Sequence, residues 1–351
     1  MEALKFVDSH NMVAYLEKST ENADFDEIVD FLNANPIRYA LTVSPTIYVS
    51  YIEQFWSTAK TKTVNNERQI RAKVDGKTIV ISESSVRRDL QFNDEDGIAC
   101  LTNTEIFENL QLMGYENLSD RLTFYKSYFS PQWKYLIHTI LQCLSSKSTA
   151  WNEFGTNIAS AVICLAKNQK FNFSKLIFDG MLRNLDPNSK KFLMYPRFLQ
   201  LFLNNQIENL EAVFNDEYVT PSHTKKVFAN MRREGKGFSG TITPLFPSML
   251  ASQAVEGEGS GQPTEPQHTP TTASPSHIEP IPTVASSSHP KKTHKHRKTK
   301  RKATEISQSS GPTTLVADEN VYKEREDRIE RAATTGLSSL LQQLPTTNSQ
   351  L

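Results

Sequence analysis

The chain has 351 residues, and Lys+Arg and Asp+Glu both number 39, so its formal net charge is zero. That length allows one large domain, or two ordinary ones with linkers. The best uncharged apolar run, Ile158 to Ala166, is half a bilayer span, which excludes a membrane-spanning helix and gives no reason to expect a membrane partner. The cysteines, Cys100, Cys143 and Cys164, are too scattered for a disulfide framework and suit a reducing compartment.

The even balance of charge hides a division. Tyr322 is the sole Phe, Tyr or Trp after position 250. Only the first part therefore has the apolar content to offset chain entropy. The composition divides the chain into a folded domain over 1–247, a disordered Ser/Thr/Pro-rich linker with a basic cluster over 248–317, and a short charged, amphipathic helix over 318–344. Met1 to Glu21 carries acids and no continuous apolar stretch, so it does not read as a secretory leader.

In chain order, Asp24 with Glu27 forms a capping-box start, and Phe25, Ile28, Val29 and Leu32 follow at helical spacing until Asn35-Pro36. Ser44-Pro45 opens a second helix in which Ile47, Tyr51, Ile52 and Phe55 share a face. Ile70 to Val74, the turn Asp75-Gly76, and Lys77 to Ile81 compose a two-residue-turn hairpin. In that register Ile70, Ala72 and Val74 oppose Ile81, Ile79 and Lys77, and Arg71, Lys73 and Thr78 face solvent. Ser82 caps a following helix with Val86 and Leu90 inward and Arg87 and Arg88 outward. Arg71, Lys73, Arg87 and Arg88 thus make a weak candidate basic face, for which a solvated surface is the plainer explanation.

Ser130-Pro131 starts the strongest helix, with Trp133, Leu136, Ile137, Ile140, Leu141 and Leu144 on one face and His138 opposite them. Trp151, Phe154, Ile158, Val162 and Leu165 mark a second helix. Ser174 begins a third, and Tyr195-Pro196 a fourth. Cys143 and Cys164 sit in these helices as small buried hydrophobes. The fold class expected is mainly α with a small β-hairpin, an α+β protein of minor β content, followed by the disordered basic tail.

No phosphate loop, dinucleotide fingerprint, nucleophile elbow or zincin motif occurs. Asp94-Glu95-Asp96-Gly97 fails as a calcium loop, because Phe92 and Asn103 occupy the first and twelfth ligand positions; it reads as a charged surface turn. No cofactor, metal ligand or catalytic residue is expected. The most specific functional signal is the run Lys291, Lys292, Lys295, Arg297, Lys298, Lys300, Arg301 and Lys302. Such clusters fit acidic importer grooves and also bind phosphates by counterion release. The expected partners are a nuclear import receptor and, non-specifically, RNA or DNA. The expected location is nuclear, with the cytoplasm as alternative.

Several stretches resemble a plant protein group: Thr42 to Trp56 (TVSPTIYVSYIEQFW), Val74 to Leu90, Phe129 to Leu144, Trp151 to Phe154, Phe171 to Ser174 and Lys190 to Leu199. The group is the plant transposon protein domain family, found in and beside plant retrotransposon polyproteins, and the resemblance covers nearly all of 1–250. The hairpin followed by a helix ending in Asp89-Leu90 is more distantly similar to the plant mobile domain. The resemblance implies origin rather than activity and carries over no catalytic residues. It suggests a non-enzymatic retrotransposon-derived protein contacting nucleic acid or other element proteins. The alternatives are a capsid-like module that forms homo-oligomers and a nuclease- or integrase-related polyprotein fragment.

Overall fold

Alternation of apolar and polar residues at two different periods builds two kinds of element here, and contacts distant in sequence decide where each begins. The structure, a computed structural model, describes residues 4–7, 10–116, 121–146, 151–189, 192–207, 216–235 and 237–251. The linker expected from 248 is corrected at its start, since residues 248–251 belong to a short helix; the rest of it, the basic run 291–302 and the terminal helix expected from the sequence lie outside the described residues.

A 3-10 turn leads into α1 (Asp26–Ala34), whose Ile28, Val29, Phe31 and Leu32 are buried, and Asn35 ends it. The capping box expected at Asp24 does not form. Phe25 takes the cap position, and the Asp24 carboxylate accepts from Arg232 Nε at 2.8 Å instead. After α2 (Arg38–Thr42), Ser44-Pro45 does not open a helix directly. Ile47–Tyr48 forms strand β1, paired antiparallel with Glu217–Tyr218, and α3 (Val49–Thr58) starts only after it. Gln200 Oε1 accepts from the Tyr48 N–H at 3.0 Å, a partner that local spacing could not reveal.

The expected hairpin is the right-hand part of a three-stranded antiparallel sheet, β2 (Lys60–Val64), β3 (Glu67–Val74) and β4 (Lys77–Ser82), in that order. Ile70, Ala72 and Val74 face Ile81, Ile79 and Lys77, as the alternation predicts. Asp75 (φ +50°) and Gly76 (φ +72°) make the turn in the left-handed region. A second such turn, Asn65 (φ +50°) and Asn66 (φ +65°), joins the unexpected β2 to β3.

Ser82 caps α4 (Glu83–Asp89), with Ser85 reciprocating. Thr102 and Glu105 cap α5 (Asn103–Leu112), a helix not expected from the sequence. Strand β5 (Thr123–Tyr125) precedes the long α6 (Pro131–Leu144), with Pro131 in its first turn. β6 (Glu153–Gly155) pairs with β5, so Phe154 belongs to a strand and the second predicted helix begins at α7 (Thr156–Ala166). Asn172, rather than Ser174, caps α8 (Phe173–Asn184), accepting from the Lys175 N–H at 2.8 Å. Tyr195, at φ +50°, turns the chain into α9 (Pro196–Asn204). β7 (Glu217–Tyr218), α10 (Lys226–Arg232) and α11 (Pro247–Ala251) complete the described chain. The fold is mixed α+β, with small sheets rather than a lone hairpin.

α6 is the central helix and packs against α2, α7 and α10. It is buried nearly all round, Lys134 and Gln142 included, so the one-sided face expected for it is a correction. His138 is not turned away from the core either. Its Nδ1 lies 2.9 Å from Lys126 Nζ, and its ring stacks on that of His223 at 4.9 Å between centroids. Cys143 and Cys164 are buried, as expected.

The extended segment from His10 to Ala14 threads this core. Met12 N–H donates to Gln142 O at 2.9 Å, Val13 N–H to Pro221 O at 3.0 Å, and Ala14 N–H to Leu41 O at 3.0 Å. Arg197 of α9, fully buried, donates to four backbone carbonyls around it: Asn11 at 2.8 Å, Ala40 at 3.2 Å, Cys143 at 3.3 Å, and Val43. Three of those carbonyls lie at the ends of α2 and α6, where carbonyls run out of intrahelical donors and the helix dipole is negative. Burial pulls the guanidinium down to about 10, so it stays charged at neutral pH.

Two outcomes follow from this interior. Arg197→Met fills the volume but leaves the Asn11, Ala40 and Val43 carbonyls without the guanidinium, Cys143 O keeping only Asn11 Nδ2 at 2.9 Å, and should lower the unfolding free energy by about 3 kcal/mol or more in urea titrations; a loss below about 1 kcal/mol would show that the guanidinium is dispensable. Burial, with nearby cationic charge adding, lowers His10 to about 4 and His223 to about 3. The unfolded chain therefore binds more protons below its histidine pKa of about 6.5, and native stability is lost as pH falls from there toward 4. The urea midpoint should drop between about pH 7 and pH 5, and an unchanged midpoint would place these imidazoles in water.

Candidate nucleic-acid interface

In an antiparallel pair, residues directly opposite one another project from the same face. Ile70, Ala72 and Val74 point inward, and α3 packs on β3 with Tyr51, Ile52, Phe55 and Trp56 buried. Arg71 and Lys73 consequently stand on the outer face. Lys60 pairs with Arg71 and Lys62 with Gln69, which brings both lysines of β2 onto that same outer face. Lys60, Lys62 and Lys73 are exposed and Arg71 is half-buried. Same-face neighbours sit about 6.6 Å apart along a strand, and adjacent strands about 4.8 Å apart.

The four cations are not neutralised within the domain. Among the described residues none of Lys60, Lys62, Arg71 and Lys73 takes part in an ion pair. Arg71 donates through Nε and Nη2 to the neutral Gln69 Oε1, at 3.3 and 3.1 Å, which fixes the guanidinium without cancelling its charge. Glu67, the acid at the far end of the same face, keeps its negative charge, since Ser84 Oγ donates to it at 3.0 Å and the Ser82 and Ser84 hydroxyls hold its carboxyl below the usual carboxylate range, but it forms no ion pair with these cations.

Arg87 and Arg88, by contrast, are both paired with carboxylates. Arg87 donates from Nε to Asp94 and from Nη2 to Glu83, both at 2.7 Å, and its side chain is only 16% exposed. Asp94 is itself buried and also accepts from the Ser174 N–H at 2.8 Å and from Ser174 Oγ. The run from Asp94 to Gly97 is thus a surface turn only at Glu95 and Asp96, while Asp94 anchors α4 to the start of α8. Arg88 stays 66% exposed, but it chelates the Asp89 carboxylate with Nε at 2.7 Å and Nη2 at 3.1 Å.

Local pattern in the sequence reveals two of the four outer-face cations, Arg71 and Lys73, but not Lys60 and Lys62. A signal for them exists. Lys60-Thr-Lys-Thr-Val64 alternates with period two and is followed by Asn65-Asn66, a pair suited to the left-handed turn it makes. The run from Lys291 to Lys302 lies outside the described residues. Among the described residues no group of three or more His, Cys, Asp or Glu is placed to hold a metal ion, and no helix is long and apolar enough to cross a membrane. No family model matches the chain, and neither does any curated protein or solved structure.

The contrast between free and paired cations is measurable as stability. Alanine at Lys60, Lys62, Arg71 or Lys73 should change the unfolding free energy by no more than about 0.5 kcal/mol each. Arg87→Ala should cost about 2 kcal/mol or more, because it strands the Asp94 carboxylate in the interior. Equal costs at Arg71 and Arg87 in urea titrations would refute this division.

Proposed function

We propose that this is a non-enzymatic, retrotransposon-derived protein of the nucleus that binds nucleic acid through phosphate contacts. The observation carrying the proposal is the row of uncompensated cations on the outer sheet face, Lys60, Lys62, Arg71 and Lys73. A polyanion is the partner that such a face favours, since each phosphate neutralised releases condensed counterions. The run Lys291, Lys292, Lys295, Arg297, Lys298, Lys300, Arg301 and Lys302 supports the same reading in two ways. It adds flexible phosphate contacts, and it supplies the cluster that a nuclear import receptor grips. The resemblance to the plant transposon protein domain family supports the mobile-element origin.

Contact through phosphates positions a nucleic acid without reading its sequence. Binding should therefore be weakly sequence-dependent and steeply salt-dependent. Replacing Lys60, Lys62, Arg71 and Lys73 together by alanine in the full chain should reduce the slope of log Kobs against log salt by about 3. A slope and affinity unchanged from the parent chain would remove the sheet face from the function. In cells, alanine at the eight basic positions of 291–302 should abolish nuclear enrichment while the fold persists.

A further inference from the structure

A cleft of about 700 Å³ opens at the β4 border of the cationic face, and we propose that it receives one unstacked base of a single-stranded nucleic acid whose phosphates lie along the sheet. The proposal rests on the nucleic-acid reading above. Val80 joins the two places. It pairs with Arg71 across β3 and β4, so it belongs to the outer face, and it also lines the cleft. One strand spacing, about 4.8 Å, separates the last cation of that row from the cleft wall.

The wall is built from an unfinished sheet edge. Val74 and Lys77 close the two-residue hairpin, so the Val80 N–H points away from β3. No further strand takes it. Gln206 does, its side-chain Oε1 accepting from Val80 N–H at 3.0 Å. That bond fixes which way the amide faces. Its Nε2 is covered and has no hydrogen-bond partner, although the residue lines the cleft. That unmet donor is satisfied once an entering base edge displaces the atoms that cover it.

The rest of the lining suits a neutral, flat heterocycle. Gln91 and Asn205 add amides, each offering donors and an acceptor, as the edge of a base requires. The Tyr39 ring and the planar guanidinium of Arg88 offer stacking surfaces. Arg88 is paired with Asp89, so the cleft carries no net charge from that pair, in contrast to the sheet beside it. An anion gains more on the sheet, and a base gains more in the cleft. The volume lies within the ordinary range for small-ligand sites and admits a base with part of its sugar. A base stacked and paired in a duplex cannot enter, so the cleft distinguishes single strands from duplexes.

The test uses the full chain and a short fluorescein-labelled oligonucleotide of mixed sequence, as DNA and as RNA, each single-stranded and as duplex, at matched salt. Single strands should bind more tightly than duplexes. Tyr39→Leu should weaken single-strand binding roughly tenfold while leaving duplex affinity and the salt slope near those of the parent, and Gln206→Glu should weaken single-strand binding more than duplex binding. Gln206→Glu keeps an acceptor for Val80 N–H but replaces the amide donor with a negative carboxylate, so its effect is read as the difference between its single-strand and duplex losses; circular dichroism and urea midpoints check the fold of both variants. A stronger effect on RNA than on DNA would assign the sugar's 2′-hydroxyl to the cleft as well. Equal affinity for single strands and duplexes in all three proteins would overturn the cleft proposal while the phosphate-binding face stands. Absence of binding to any of the four probes at low salt would overturn both.

Discussion

The guanidinium of Arg197 is where the separate parts of the described chain are tied together. α2 and α6 both point their carbonyl ends into the interior, and the extended N-terminal segment brings a further carbonyl from Asn11. Buried together without donors, these groups would each cost about 1–3 kcal/mol. One planar cation with five donors reaches all four at once, and Asn11 Nδ2 gives the Cys143 carbonyl a second bond. A carboxylate partner would be redundant there, since partial negative charge from the helix ends already surrounds the cation. The position of α9, and with it Gln200 against β1 and Gln206 against β4, follows from where that guanidinium must sit.

The same residue type does three different jobs in this domain, and the surroundings decide which. Arg197 serves carbonyls, and Arg87 serves the carboxylates of Glu83 and Asp94. Arg71 is steadied by a neutral amide and keeps its charge for something outside the domain. The three-stranded sheet makes the last case possible. α3 seals the inner face, which leaves the outer face free to carry polar and charged side chains.

Much of this was legible from local pattern alone. The hairpin register, the Ser82 cap, the Pro131 and Pro196 helix starts and the buried Cys143 and Cys164 all depend on residues close together in sequence, and each is found where the pattern puts it. The failures share a physical cause. Helical spacing puts Arg87 on the outer side because it cannot see Asp94 and Ser174 arriving beneath it. The helix expected from Ser44-Pro45 starts late because Gln200 and the strand at Glu217–Tyr218 capture Ile47 and Tyr48 first. Half of the basic face was hidden because β2 has no apolar side of its own. Lys60-Thr-Lys-Thr-Val64 buries little and is held by pairing with β3, a reason that hydrophobic periodicity does not register.

The reach of the Arg197 contacts bears on how the chain is made. The bonds from Arg197 span 54 residues to Cys143, 154 to Val43, 157 to Ala40 and 186 to Asn11. A chain emerging from the ribosome presents α2, α6 and the N-terminal segment long before the residue that reconciles their carbonyls exists. Until α9 is translated, the core helices must wait with polar ends that cannot be buried, and loop closure over such separations is slow. The described core thus cannot close before α9 has been made. A chain cut short before position 197 would hold apolar helices without the means to close over them, the state that chaperones and proteases recognise.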